Sequence, residues 1–165
     1  MRKDKIFLHI FLTSLAVLPC TQLLSSCSFH EGSESQLKED VDSFATYYYN
    51  WHFKKALKYC TPESEKWLRY ASSNVHQADL ELLHQKDEDA TIDIDDIDFQ
   101  DENTAIVSLS IHNFLQMDTI GKAAHLIEDA TFQIPMIIHD GKWKVKMEGL
   151  PQSGTQSHDS TSDEQ

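Results

Sequence analysis

In Phe132-Gln133-Ile134-Pro135-Met136-Ile137-Ile138-His139-Asp140-Gly141-Lys142-Trp143-Lys144-Val145, apolar residues alternate with other residues on both sides of Asp140-Gly141. A period of two puts residues of one parity on one face of a strand. Ala130, Phe132, Ile134, Met136 and Ile138 therefore share a face, and so do Trp143, Val145 and Met147 on a following strand. Asp-Gly supplies the two residues that tolerate positive φ in a tight hairpin turn. Pro135 lacks an N–H, which places its local pairing at an edge or a bulge.

Upstream, the same period continues. Ala105, Val107, Leu109 and Ile111 alternate through a strand preceded by the turn Asp101-Glu102-Asn103. Ile92 and Ile94 alternate with Asp93 and Asp95, while Ile97 and Phe99 follow one residue out of phase, so a bulge is expected at Asp95-Asp96. The connection around Gln116 to Lys122 contains Gly121.

Before Asp87-Glu88-Asp89 the period is helical. Leu37, Val41, Phe44, Tyr48 and Trp51 recur in steps of four and three, which predicts a helix with one apolar face. Phe53 to Cys60 reads as a shorter helical piece. Thr61-Pro62-Glu63 is a restart signal, with Thr61 as cap and Pro62 at the first helical position. Trp67, Ala71, Val75, Ala78 and Leu82 predict one further helix ending near His84 to Lys86. Helices followed by a run of antiparallel strands define an α+β domain, with the N-terminal helices packed on a sheet of about four strands.

Tyr47-Tyr48-Tyr49, Thr61-Pro62-Glu63-Ser64, Asn103-Thr104-Ala105-Ile106-Val107 and Asp140-Gly141-Lys142-Trp143-Lys144-Val145 together make residues 36–149 similar to small NTF2-like (cystatin-like) envelope lipoproteins of the Bacteroidetes type, many of them classed only as domains of unknown function. The resemblance implies a curved sheet that wraps a long helix into a cone whose mouth is a ligand site. It also implies a homodimer paired through the sheets, to which Ile106 and Ile137 on the outer face would contribute.

Leu24-Ser25-Ser26-Cys27 resembles the lipobox of bacterial lipoproteins. Arg2, Lys3 and Lys5 precede an apolar run from Ile6 to Leu18, shorter than the roughly 20 residues of a spanning helix. Cys20 is a poorer acceptor because Pro19 precedes it. The resemblance implies a signal peptide over 1–26 that is removed, and acylation of Cys27 with palmitate-type chains, enough of them for lasting membrane attachment. Ser28 is not the aspartate of inner-membrane retention, so the expected address is the outer membrane. The expected organisation is then a tether over 27–35, the NTF2-like domain over 36–149 and a disordered tail over 150–165.

Removing 26 of the 165 residues leaves 139, enough for one domain. The leader carries three basic residues and one acid, so its loss takes the net charge from −13 to −15. Such a surface repels phosphate backbones and anionic headgroups, which excludes nucleic acid as a partner and disfavours direct lipid binding other than through the anchor. Of three cysteines only Cys60 remains free, and Phe53, Leu57 and Cys60 fall on one helical face, the setting of a buried, inert thiol.

Enzymes on the resembled fold place a carboxylate, His or Tyr inside the cone, where desolvation raises a carboxylate pKa. Here Asn113 and Glu128 extend the inward registers, and Tyr48 and Trp51 come from the helix to the mouth. The expected function is non-enzymatic binding of a small apolar ligand or an envelope protein. The alternative is a small-molecule isomerase, dehydratase or hydrolase using Glu128. No metal or other cofactor is expected. Asp93, Asp95, Asp96 and Asp98 fail the calcium-loop template, in which Ile97 takes a ligand position and the glycine is missing. The eight histidines outside the leader make no zinc-type spacing, and neither a phosphate-binding glycine loop nor a nucleophile elbow is present.

Overall fold

Ser33 begins the folded unit: its hydroxyl accepts from the Gln36 amide at 3.2 Å and caps α1, Glu34–Tyr49. The computed structural model describes residues 32–117 and 122–154. The leader 1–26, Cys27 and the tail beyond Gly154 lie outside the described residues. After α1 come α2 (Phe53–Ala56), 3-10 turns at Leu57–Tyr59 and Pro62–Ser64, α3 (Glu65–Ser73) and α4 (Gln77–Gln85). Four strands follow: β1 (Thr91–Phe99), β2 (Thr104–Gln116), β3 (His125–His139) and β4 (Lys142–Val145). They form one antiparallel sheet in sequential order. The protein is thus an α+β fold with its helices first, as expected.

Alternation sets the packing. Leu37, Val41, Phe44 and Tyr48 are buried on α1 and meet Val107, Leu109, Ile111, Ile134, Met136, Trp143 and Val145 from the sheet. All four strands contact α1, the edge strands β1 and β4 included, as a sheet curled around the helix must. The expected bulge lies between Ile94 and Asp96, leaving Asp95 unpaired in the β1–β2 ladder and adding to the bend. Asp140 and Gly141 have φ of 52° and 76°, the two-residue hairpin read from Asp-Gly. Pro135 falls just beyond Met136–Val145, where the β3–β4 ladder ends.

Three boundaries shift. The expected tether reaches too far, because Gly32 and Ser33 are already folded: Trp143 Nε1 donates to the Gly32 carbonyl at 2.9 Å, and the Gly32 amide donates to Gln36 Oε1 at 2.7 Å. The expected tail starts too early. Leu150 packs on the core, Ser153 bridges Phe132, and the Gly154 amide donates to the Thr131 carbonyl at 2.8 Å. The single helix expected from Trp67 to Leu82 is two helices broken at Asn74-Val75-His76. Ser73 Oγ and Asn74 Nδ2 both donate to the Tyr70 carbonyl, which diverts it from the helix ladder. Asp79 restarts α4 by accepting from the His76 amide at 2.8 Å, and its other oxygen accepts from the Ala124 amide at 2.7 Å. Leu68 and Ala71 are buried here, while Ala78 faces solvent.

Candidate ligand cleft

The C-terminal end of α1 concentrates the unusual features of the molecule. Tyr48 and Tyr49 close the helix, and their rings stack edge-on at 5.1 Å. Asn50 then ties this end to the sheet: its Nδ2 donates to the Thr46 and Ala90 carbonyls at 3.0 and 3.1 Å, and its Oδ1 accepts from the Ala90 amide at 2.8 Å. Trp51, expected on the helical stripe, lies beyond the helix in the left-handed region at φ 59°. A bulky side chain is seldom found there, and the conformation costs roughly 1–3 kcal/mol. Its indole Nε1 donates to the Leu115 carbonyl at 3.2 Å, which fixes the ring against β2.

The ring lines a cleft of about 160 Å³ together with Tyr48, Tyr49, Phe114, Met117 and Phe132, among others. Phe114 and Phe132 pack on the Tyr49 ring with centroids 5.3 and 4.9 Å away. No carboxylate or histidine lines the cleft among the described residues. Tyr49 is 5% exposed, and its hydroxyl is buried without a hydrogen-bond partner among the described residues. Burial, with a smaller push from Tyr48, holds its phenol well above the usual range. Buried hydroxyls are nearly always bonded, so this one is an exception to be explained.

Of the four pocket residues read from the sequence, Tyr48 and Trp51 line this cleft, and Asn113 and Glu128 do not. The inward register breaks at Asn113, which has φ 53° and bonds outside the cone. Its Nδ2 donates to the Glu88 carbonyl at 3.1 Å, and its own carbonyl accepts from Lys86 Nζ. Asparagine tolerates this conformation better than most residues. Past the kink, Phe114 and Leu115 are both buried, and alternation is lost. Glu128 is solvent-exposed on β3, which removes the low-dielectric setting that a pocket acid or base requires. Tyr49 and Asn50 were missed: they lie off the four-three stripe, and the signal was the run of three tyrosines followed by a helix-ending asparagine.

Other sequence-marked residues are placed as follows. Cys60 is buried, and burial pushes its thiol up to about 12, so it is not a nucleophile at neutral pH. Ile106 and Ile137 are half-buried on the outer face and not fully exposed. A second, more open depression of about 460 Å³ lies between α1 and β4, where Lys58, Lys142 and Lys144 face Glu39 and Asp40. Burial raises the Asp40 carboxyl, and the three lysines pull it back.

No family model and no curated protein matches the sequence. Among solved structures the chain is similar to an Ntf2 like protein involved in plasmid conjugation, with 14% identity and a TM-score of 0.33. The similarity covers 72% of this chain and 49% of that one, so the chain spans about half the length of that protein.

Proposed function

We propose that this protein is a lipid-anchored component of the bacterial cell envelope, attached through Cys27 to the outer membrane, whose NTF2-like domain binds a small apolar ligand without catalysis. The observation that carries the binding half is the aromatic cleft at the end of α1, which offers apolar surface and no carboxylate among its described walls. The rival reading, proton transfer by Glu128, loses its support because that residue stands in solvent outside the cleft. Anchoring is supported by the basic start, the apolar run Ile6 to Leu18 and Leu24-Ser25-Ser26-Cys27.

Mass spectrometry of the protein purified from its own membrane tests both halves. The expected result is a mature N-terminus at Cys27 bearing acyl chains, with an apolar small molecule released on denaturation. An intact leader with unmodified Cys27 would refute the anchor. An empty domain whose melting temperature no apolar compound raises would refute the ligand site.

A further inference from the structure

We infer that the depression between α1 and β4 is a second binding site, for a short peptide with free ends, whose amino group pairs with Asp40 and whose carboxylate pairs with Lys142 and Lys144. It lies along the first half of α1, shares no residue with the aromatic cleft at the other end of that helix, and stands independently of the reading above.

Charge is the first observation. Glu39 and Asp40 come from α1, Lys142 and Lys144 from β4, and Lys58 from the 3-10 turn before Cys60. The lysine and arginine ion pairs among the described residues lie elsewhere, at Lys38–Glu34, Arg69–Glu65 and Lys146–Glu148. Both signs thus line one depression and remain apart. An anion alone would be repelled by the carboxylates and a cation alone by the lysines, whereas a molecule carrying both charges satisfies both sides.

Burial is the second. Asp40 is half-buried, and desolvation holds its carboxyl above the usual range although Lys144, Lys142 and Lys58 all pull it down. The lysines act on it from a distance, and a ligand ammonium in contact would supply the close partner it lacks.

Size and lining are the third. A depression of about 460 Å³ falls in the range of small-molecule sites. Free alanine has six non-hydrogen atoms; at the ~30 Å³ share of a water molecule for each, it would fill less than half of that space. Tyr59 adds a ring, braced by stacking on Tyr47 at 6.0 Å and 25°. Gln36 Oε1 accepts from the Gly32 amide, so that side chain offers the depression donors, which suit a peptide carbonyl. Lys144 Nζ donates to the Lys58 carbonyl at 2.6 Å, which ties the two sources of lysine together.

Titration calorimetry on the full chain with trialanine, N-acetyl-trialanine and trialanine amide tests the pairing. Trialanine should bind, and blocking either end should weaken binding about tenfold, the value of one charge-assisted hydrogen bond. Asp40→Asn, which keeps the shape of the side chain, should weaken trialanine by a similar factor and leave N-acetyl-trialanine unchanged. Lys142→Gln combined with Lys144→Gln should weaken trialanine and leave its amide unchanged.

Equal affinity for free and blocked peptides, or variants that lower all three alike, overturns the paired charges. Free alanine binding as tightly as trialanine overturns the peptide. No binding of trialanine at millimolar concentration overturns the site.

Discussion

On the face of the sheet turned to α1, Val107, Leu109, Ile111, Ile134 and Met136 are each at most 1% exposed, while the opposite face is stitched by polar cross-strand contacts. There His112 on β2 lies between Asp129 on β3 and Asp93 on β1: Nδ1 is hydrogen-bonded to Asp129, and Nε2 is 3.1 Å from Asp93. Ser110 Oγ donates to Asp95 at 2.8 Å alongside. The inner face draws its stability from area removed from water, at about 25 cal/mol per Å². The outer face gains little from each contact, because water competes for the same groups. It contributes register instead, since His112 reaches both carboxylates only when three strands are correctly aligned.

The largest effect should come from the inner face. Phe44 is fully buried and stacks on Tyr48 at 5.4 Å, so Phe44→Ala should cost about 3–5 kcal/mol in chemical denaturation. A loss under 1 kcal/mol would mean that the cone is not the core. Next is the clamp that joins helix to sheet. Asn50→Ala strands a buried Ala90 amide and carbonyl and should cost about 2–3 kcal/mol.

The smallest effect, on the outer face, depends on pH. The hydrogen bond to Asp129 raises the His112 pKa, burial opposes it as the next largest effect, and the contact with Asp93 adds a further upward push. A raised folded-state pKa means that the stabilisation is complete below the unfolded value near 6.5 and fades as pH rises through the folded one. Melting temperatures of the protein and of His112→Gln should therefore converge at high pH and diverge in acid. A constant difference across pH 5 to 9 would assign the contact no ionic part.

The same contrast explains what the sequence disclosed. Ile92-Asp93-Ile94 and Ala105 to Ile111 are legible because a two-sided sheet forces alternation, and the phase slip at Asp95 shows as a bulge for the same reason. The Asp140-Gly141 turn is equally plain, since few residue pairs accept two positive φ values. Left-handed Trp51 and Asn113 are not legible, because nothing in their neighbours' pattern marks a reversal of backbone hand. The break before α4 was hidden by an apolar stripe that continues across Asn74-Val75-His76, although Ser73 and Asn74 end α3 on the Tyr70 carbonyl and Asp79, held by the Ala124 amide, starts α4 anew. Tyr48 and Trp51 both line the cleft, but Trp51 reaches it by leaving the helix on which the spacing placed it.

Docking of Gly32 by the Trp143 indole sets a short leash. Under the proposed anchoring, only residues 28–31 separate the acylated cysteine from the fold, a span of five residue steps that reaches about 17 Å when fully stretched. The domain is then held close against its bilayer, where it would sample hydrophobic solutes leaving the membrane before they dilute into water.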